Sequence, residues 1–469
     1  MATISSLGIG SGLDLSGLLN QLESAERLKL DPITTQQSTN KNKISAYGSL
    51  QSALTKLQAA AETLAEAKTY QGQISSVSGS GLKVAATSAA VAGSYPVQVT
   101  TLAQAQSLAV SGVASKTDAL DLGAGTLTIS IGSQAELEPP AGAADKLDVV
   151  LAAGTSLEGI RDAINAAKGG VTASIVNDGD ATNPYRLVLT SSATGTESQM
   201  SVSYGGGGAD AALFTYDSFS NTGAMSQTVQ AADAALTVNG VSIVSQSNTI
   251  EGALQGVTLT VSATGAQQVL TVARDTETIK SAVDGFVSAY NGLVSTISSL
   301  GSYDAENDTA GTLLGDSTMR SVQSRVRGVI TEAVGGELST LTDLGITLQL
   351  DGKLKSDSGR LDELLSGDLT ALSTFFAGNG ADGGMASKVD SVLTAVLADD
   401  GLLGNSIEGL KARNAALDER YARMEADIEA IVERYRTQFA ALDSLVAQMN
   451  STSTYLSQQF EALSAQLKQ

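Results

Sequence analysis

Apolar residues near both ends of the chain recur at alternating spacings of three and four residues. The longest series lies towards the C-terminus and comprises Leu410, Leu417, Tyr421, Met424, Ile428, Ile431 and Tyr435, with Asn414 at a seam position. A shorter series near the N-terminus comprises Tyr47, Leu50, Leu54, Leu57, Ala61 and Leu64. This is the a/d spacing of coiled coils, whose apolar stripe is buried only against partner helices. The pattern predicts assembly of helices, and it leaves open whether the partners belong to one subunit or to several.

The C-terminal series continues after one change of step. Two successive spacings of four residues lead to Phe439. The series then continues through Leu442, Val446, Met449, Leu456, Phe460, Leu463 and Leu467. Beyond Thr452 the seam weakens, because Ser453 replaces a large apolar residue. Weak coils fold only with a partner. We therefore expect the two extremes of the chain, before Pro32 and beyond Thr452, to become ordered on a partner.

Other stretches also have helical spacing. A helix is predicted to begin near Leu13 and to be interrupted at Asp31-Pro32, because proline disfavours helix in the residue before it. A second helix is predicted from about Asn42 to Lys68. Further helices are predicted over residues 279–300, 320–334, 361–367 and 387–397.

The period changes to β-type alternation from Gln73 onward. Asn239-Gly240 and Asp351-Gly352 each stand between alternating segments and predict hairpins, since Asn-Gly and Asp-Gly suit type I′ turns.

Two stretches of this middle region resemble one another in their predicted helix starts. Thr155 with Glu158, and Asn248 with Glu251, have the spacing of a capping box. We therefore predict two related modules, each with a short capped helix beside small strands.

These elements predict a discontinuous α+β protein in which N- and C-terminal coiled-coil and helical-bundle segments enclose two β-rich domains. Residues 1–41 and 408–469 are predicted to form a terminal helical leg, partly disordered in isolation. Residues 42–72 and 276–407 are predicted to form a helical-bundle stem. The inner β-rich domain is predicted over 73–105 and 230–275, and the outer one over 106–229.

Composition excludes several kinds of function. The formal charge of −21 argues against nucleic acid and against an anionic membrane surface. Cysteine and histidine are absent, which excludes disulfides, thiolate metal sites and catalytic groups built on either residue. No apolar run approaches the roughly 20 residues that a membrane helix needs. No cleavable leader is recognised over Met1 to Asp14, so we expect a cytoplasmic protein or one exported by another route.

No group of residues predicts catalysis, a cofactor or a metal. The glycines from Gly8 to Gly12 lack the preceding strand and the lysine of a phosphate loop, and a hinge is the better interpretation. Asp304, Glu306 and Asp308 alternate like calcium ligands, but the turn glycine and the terminal glutamate of such a loop are missing. Asn177, Asp178 and Asp180 are interpreted as a polar turn. The sequence context singles out no two of the 49 acidic residues as the catalytic pair of a glycosidase.

Four passages resemble the flagellar filament cap (FliD, hook-associated protein 2) family. They are the opening LGIGSGLDLSGLLNQL, the segment ALTVNGVSIVSQSNTIEGALQGVTLTV, the pair AGTLLGDSTMRSVQSRVRGVI and TDLGITLQLDGKLKSDSGRLDELL, and the C-terminal coil that contains YLSQQF. Their order covers both ends of the chain and most of residues 230–469. The region from about 105 to 230 carries less of the resemblance.

The resemblance implies an axial leg, a helical-bundle domain, outward β domains and a homo-oligomeric ring at the tip of the filament. The number of subunits stays open at about five or six. The implied protein is not an enzyme; it is secreted through the flagellar type III apparatus and promotes ordered incorporation of flagellin. Further implied partners are hook-filament junction proteins and an export chaperone, with no nucleic acid and no membrane insertion.

The family motifs carry over to only a few positions. Gly10, Gly12, Leu13 and Asp14 match the opening, and Leu456 and Phe460 lie in the matching C-terminal segment. These residues become candidate filament contacts. Three alternatives remain: another axial flagellar component, such as a junction protein or flagellin; a surface adhesin that acts through the acidic β domains; and an enzyme such as a peptidoglycan hydrolase.

Overall fold

The computed structural model describes residues 7–9, 11–138, 144–379 and 382–466, and these residues group into two compact units. The helical unit combines the chain up to Thr69 with the chain from Thr276 onward. The β unit comprises Tyr70–Asp275. The predicted class, α+β with helical ends that enclose β-rich sequence, is confirmed.

The described residues form nine α-helices, of which only the third lies in the β unit. In chain order they are α1 (Leu15–Arg27), α2 (Asp31–Ala65), α3 (Leu157–Ala167), α4 (Thr276–Gly301), α5 (Ser317–Thr331), α6 (Ser358–Ser366), α7 (Leu369–Phe376), α8 (Met385–Leu397) and α9 (Leu402–Gln466).

The strands of the β unit are short and numerous. In chain order they are β1 (Gln73–Val77), β2 (Leu82–Ala86), β3 (Gly93–Thr101), β4 (Ser107–Ala109), β5 (Gly125–Gly132), β6 (Asp145–Leu151), β7 (Val171–Asn177), β8 (Tyr185–Ser191), β9 (Gln199–Tyr204), β10 (Tyr216–Asp217), β11 (Thr222–Gly223), β12 (Ser226–Val229), β13 (Ala234–Val238), β14 (Val241–Ser245), β15 (Thr249–Leu254), β16 (Val257–Val261) and β17 (Gln268–Arg274).

Three small hairpins complete the helical unit. They are formed by β18 (Tyr303–Asp304) with β19 (Thr309–Ala310), β20 (Ile346–Leu348) with β21 (Leu354–Ser356), and β22 (Gly378–Asn379) with β23 (Asp382–Gly383). The second of them contains Asp351-Gly352, so the hairpin predicted there is confirmed.

The core of the helical unit is the apolar stripe of α2 against α4 and α8. Leu50, Leu54, Leu57 and Leu64 are fully buried, as the three-four spacing predicts. Facing residues of α4, including Phe286, are equally buried. The helices predicted over 279–300, 320–334, 361–367 and 387–397 correspond to α4, α5, α6 and α8 and are confirmed.

A polar contact ties α2 to the start of α5 beside this core. The Tyr47 hydroxyl donates a hydrogen bond to Asp316 Oδ2 at 2.8 Å, while Asp316 Oδ1 accepts from the Met319 amide and caps α5. Burial, together with the Asp316 carboxylate, raises the pKa of Tyr47 to about 12. Tyr47 therefore stays a neutral donor, and its ring is fixed at the point where α2 and α5 meet.

The boundary between the first two helices differs from the prediction. A single 3-10 turn over Leu28–Leu30 follows α1, and α2 begins at Asp31 rather than near Asn42. Pro32 occupies the first turn of α2, where a missing amide hydrogen costs nothing. The helix therefore tightens to a 3-10 turn before Pro32, and the chain stays helical between α1 and α2.

The β unit contains two hydrophobic clusters, each formed mainly by residues of two sheets. The first cluster lies between a sheet with strand order β1-β17-β3-β13-β14 and the sheet β15-β16-β2. The second lies between the sheets β11-β10-β9-β5-β6 and β12-β4-β8-β7, and helix α3 adds Leu157, Ile160 and Ile164 to it. The two clusters share no residue, so each pair of sheets has its own core.

One of the two predicted modules folds as expected, and the other does not. Helix α3 is confirmed, although its cap is Ser156, which accepts from the Gly159 amide, rather than Thr155. The helix predicted after Asn248 is wrong, because that segment is strand β15. The Asn248 side chain binds both the amide and the carbonyl of Ala103 at 2.8 Å instead of capping a helix.

The hairpin at Asn239-Gly240 is confirmed. Strands β13 and β14 pair from Ala234 to Ser245, with φ of 50° at Asn239 and 79° at Gly240. Both values lie in the left-handed region that a type I′ turn requires.

Replacing Leu54 by alanine tests the core of the helical unit. Leu54 is fully buried between α2 and its neighbours, so Leu54→Ala should lower the free energy of unfolding of this unit by about 2–5 kcal/mol. Denaturant unfolding followed by circular dichroism at a helical wavelength measures the change. Leu442→Ala, at a side chain that is 41% exposed, is the matched control and should cost much less. Equal losses from the two variants would contradict this packing.

Candidate assembly surfaces

The predicted seam of α9 faces the helices that pack against it. Ile428 is buried, with 2% of its surface exposed. The other predicted seam residues are half-buried, and they are Leu410, Asn414, Leu417, Tyr421, Met424, Ile431 and Tyr435. A single chain therefore covers this stripe only in part.

The best-covered part of the seam lies where α9 meets the N-terminal segment. Leu19 of α1, Leu30 of the 3-10 turn, Ile428 and Val432 form a small buried cluster. Tyr421, Met424, Tyr435 and Phe439 pack around it, and the rings of Tyr435 and Phe439 stack with centroids 6.3 Å apart. This paired section of α1, the turn, the start of α2 and α9 is called the leg below.

Polar contacts replace apolar burial in the next section of the leg. Asn40 Nδ2 donates to Asn414 Oδ1 at 3.1 Å, and Gln37 Nε2 donates to Asp418 Oδ1 at 2.7 Å. No side chain of α2 between Ile33 and Ala46 is buried, and this stretch is described throughout. A polar seam residue such as Asn414 fixes the register of two helices at a cost in stability.

The N-terminal opening is a tight turn fastened to α9. The Gly12 amide donates to the Gly8 carbonyl, with φ of 99° at Gly8 and 72° at Gly12. A Cβ at Gly8 would stand 2.0 Å from the Leu13 carbonyl oxygen, so this position needs glycine. The Ser11 amide donates to Asp443 Oδ1 at 2.7 Å and ties the turn to the middle of α9.

The candidate filament contacts in this opening have different roles. Asp14 caps α1, with Oδ1 accepting from the Gly17 amide at 2.8 Å, while Leu13 is 50% exposed. Gly10 lies outside the described residues. Because the Asp14 carboxylate fills the helix terminus where a phosphate would bind, the structure favours the turn over a phosphate loop.

The last turns of α9 carry an uncovered apolar stripe. Leu456 and Phe460 are 49% and 69% exposed, and the stripe also contains Leu445, Met449 and Leu463. A shallow cleft of about 670 Å³ runs along these residues. The antiparallel contacts with the N-terminal segment reach Asp443 through Ser11, and the stripe lies beyond that point.

The candidate calcium loop is held by its own hydrogen bonds. Asp304 accepts from the Asn307 side chain and from the Glu306 and Asn307 amides, and these bonds lower the pKa of Asp304. Asp308 accepts from the Tyr303 hydroxyl at 2.6 Å. Across the described ranges, no three acidic side chains converge as metal ligands do.

The other acidic candidate is a turn, as predicted. Asp180 Oδ1 accepts from the Thr182 and Asn183 amides, and Asp178 pairs with Arg186. The hydrogen bond from the Asp180 amide, and after it the contact with Arg186, lowers the pKa of Asp178. These carboxylates organise the connection between β7 and β8.

Within the part of the chain that the structure describes, no helix has the length and apolarity needed to cross a membrane. Two candidate surfaces for partners are the partly covered seam and the exposed stripe of α9. Both are long helical faces rather than enclosed pockets.

Comparison with known proteins agrees with this architecture. Sequence models of the N- and C-terminal parts of flagellar hook-associated protein 2 match residues 11–106 and 231–451, and the flagellin hook IN motif matches residues 126–193. Flagellar hook-associated protein 2 of Escherichia coli (strain K12) is 38% identical over 473 residues, covering 98% of this chain and 99% of the relative. The protein of the same name from Salmonella typhimurium is 39% identical, with 99% of each chain covered.

A solved structure shows the same arrangement of elements. The crystal structure of the D1-D2-D3 domains of the flagellar cap protein FliD from Escherichia coli superposes with a TM-score of 0.65 at 35% identity, covering 78% of this chain and 99% of that chain. The fold and these similarities define a structural protein of the bacterial flagellum. The chain belongs to the flagellar hook-associated protein 2 family.

Replacing Ile428 by alanine tests how α1 is held in the leg. Ile428 is the buried centre of the contact between α1 and α9, so Ile428→Ala should release α1 locally at a cost of about 2–4 kcal/mol. Hydrogen exchange of the α1 amides should accelerate, while the amides of α4 keep their protection. Ile431→Ala, at a half-buried neighbour, should have a smaller effect. Unchanged exchange in α1 of the Ile428 variant would show that another contact holds this helix.

Proposed function

We propose that this protein caps the flagellar filament, as a homo-oligomeric ring at the tip that promotes ordered incorporation of exported flagellin. Membership of the family supports this function, and the related solved structure from Escherichia coli is that of a flagellar cap protein. The observation that carries the proposal is a leg whose terminal apolar stripe has no cover within the described chain. Such a stripe suits insertion among the helices of a filament end.

The ends of the leg are proposed as the filament contacts. Leu456 and Phe460 would supply apolar side chains, while Leu13 presents a further exposed one. Gly12 and Asp14 would act through the turn and cap that aim Leu13, and Gly10 belongs to the same segment. The inner half of the seam, around Ile428, would hold each subunit together.

The division of the chain into four domains belongs to the same proposal. The leg would comprise 1–41 and 408–469, and the stem 42–72 and 276–407. The two separate hydrophobic clusters support an inner domain over 73–105 and 230–275 and an outer domain over 106–229. Separate cores would allow the outer domain to vary without disturbing the leg.

Export and partner contacts complete the proposal. The protein would leave the cell through the flagellar type III apparatus and meet flagellin and the hook-filament junction proteins at the tip. Before export, a chaperone would cover the C-terminal stripe, since an exposed apolar helix face otherwise associates non-specifically.

A deletion strain tests the function directly. Cells that lack this gene should secrete flagellin monomers into the medium and carry no long filaments, and the intact gene should restore filaments and motility. Electron microscopy and immunoblotting of the culture medium measure both effects. Normal filaments on the deletion strain would overturn the proposal.

The double variant Leu456→Ala with Phe460→Ala tests the filament contact. Losing both exposed side chains should reduce filament length and raise flagellin in the medium by about tenfold or more, because both would be buried on the filament. Tyr455→Ala is the control, since Tyr455 is 60% exposed but lies roughly 100° around the helix from Leu456. Full complementation by the double variant would remove these residues from the contact.

A further inference from the structure

A groove of about 520 Å³ runs between α2 and α9 where the leg has no buried apolar layer. Its lining contains Thr35, Gln36, Thr39 and Asn40 from α2, with Ala416 and Leu417 among the residues from α9. Both threonine hydroxyls donate to backbone carbonyls one turn earlier, Thr35 to Asp31 and Thr39 to Thr35. The threonine hydroxyls are therefore satisfied within α2, and the two threonines offer their methyl groups to a partner.

The groove has the form that receives a third helix. Thr35 and Thr39 are four residues apart, as are Arg413 and Leu417, so each helix lends two neighbouring turns to its wall. Two paired helices present such a depression to a third, whose side chains then fill it as knobs. Leu417 and Tyr421 are only half-buried without that third helix. Its arrival would complete a seam that one chain leaves partly open.

The rim of the groove is positively charged. Arg413 and Arg420 line it and are seven residues apart, so they project on the same side of α9. Neither makes an ion pair or a side-chain hydrogen bond among the residues described, although the chain carries a net charge of −21. An unpaired arginine pair in so acidic a protein indicates an acidic partner.

Overlapping turns of α9 carry acidic residues on another face. Glu408 and Glu419 lie roughly a third of a turn around the helix from the arginine pair. Among the described residues, their ion pairs are long and exposed, from Glu408 to Lys411 at 3.8 Å and from Glu419 to Arg423 at 3.6 Å. Exposed pairs of this kind contribute little stability, so both carboxylates are available to a partner.

We propose that the groove receives the acidic face of α9 from a neighbouring copy of this chain. This contact rests on the proposed function, in which the protein forms a ring. The groove, from Arg413 to Arg420, and the acidic face, from Glu408 to Glu419, overlap along α9, so the copies would meet side by side. A closed ring requires this, since a heterologous contact with an offset produces an open helix.

Charge complementarity selects this occupant. Copies with a net charge of −21 repel one another, and the arginine pair places positive charge where the acidic face of the next copy arrives. Small side chains on that face, Ala412 and Ala415, let the two helices approach closely. Nucleic acid would meet the same arginines but also the repulsion of the whole acidic chain.

Disulfide trapping between two single-cysteine variants tests the contact, because the natural chain has no cysteine. Thr39→Cys places a thiol in the groove, and Ala415→Cys places one on the acidic face at the same level of the leg. Mixed under mild oxidation at a concentration where light scattering detects oligomers, the two variants should form a one-to-one disulfide dimer. Each variant alone should remain uncrosslinked.

Three results would overturn this contact. One is dimer formation by either variant alone, which would indicate a symmetric contact. Another is the absence of the mixed dimer, and the third is a chain that does not self-associate.

Filament rescue by the natural gene separates the two proposals. Rescue without the mixed dimer would leave the cap function standing, whereas failed rescue would reject that function.

Charge reversal provides a second measurement. Arg413→Glu with Arg420→Glu should weaken self-association by about tenfold or more, and adding Glu408→Arg with Glu419→Arg to the same chain should restore it. Lys56→Glu with Arg325→Glu changes the net charge equally at exposed sites away from the groove and should have a smaller effect. Equal weakening by both pairs, or no restoration, would contradict the contact.

Discussion

The antiparallel pairing of the two chain ends is the constraint on which the rest of the structure depends. Contacts along α9 join residues that are remote in sequence, such as Ser11 with Asp443 and Asn40 with Asn414. Because both ends lie in one helical unit, the intervening chain has to leave and return. It returns beside its own departure point, since Gln73 of β1 pairs with Arg274 of β17. The same device recurs further in, where Gln104 bridges to Ala232, so the second cluster is inserted in the first.

Periodic patterns predicted most of the fold because they record burial on one side of an element. The stripes of α2 and α4 were visible as three-four spacing, and Asn239-Gly240 predicted its turn from the backbone angles that these residues tolerate. Asn248 was misjudged, since its partner Ala103 is distant in sequence and tertiary contact outweighs a local capping signal. Helix α7 was missed, although Asp368 caps it, because an apolar run this short has no clear period.

The assembly surfaces were predictable only to the level of which residues share a face. Spacing placed Leu417 and Ile428 on one stripe, but it could not say that Ile428 is buried while Leu417 stays half-covered. Ile428 is buried because Leu19 of α1 and Leu30 of the 3-10 turn pack against it, whereas α1 does not extend along α9 as far as Leu417. The arginine rim was invisible for a related reason. Arg413 and Arg420 look like ordinary surface residues until the position of α2 shows a groove beside them.

The middle of the leg gains specificity at the expense of burial. Helix α9 buries no side chain between Leu403 and Ile428, and in the same section its partner α2 offers Asn40 and Gln37. Hydrogen bonds between partly exposed polar side chains add little to the free energy of unfolding. A shift in register between the two helices would nevertheless leave these side chains without partners. This middle section is therefore held on either side, by the stem core around Leu54 and by the cluster around Ile428. Between them Leu417 and Tyr421 stay half-buried, so a partner that covered these side chains would gain hydrophobic stabilisation.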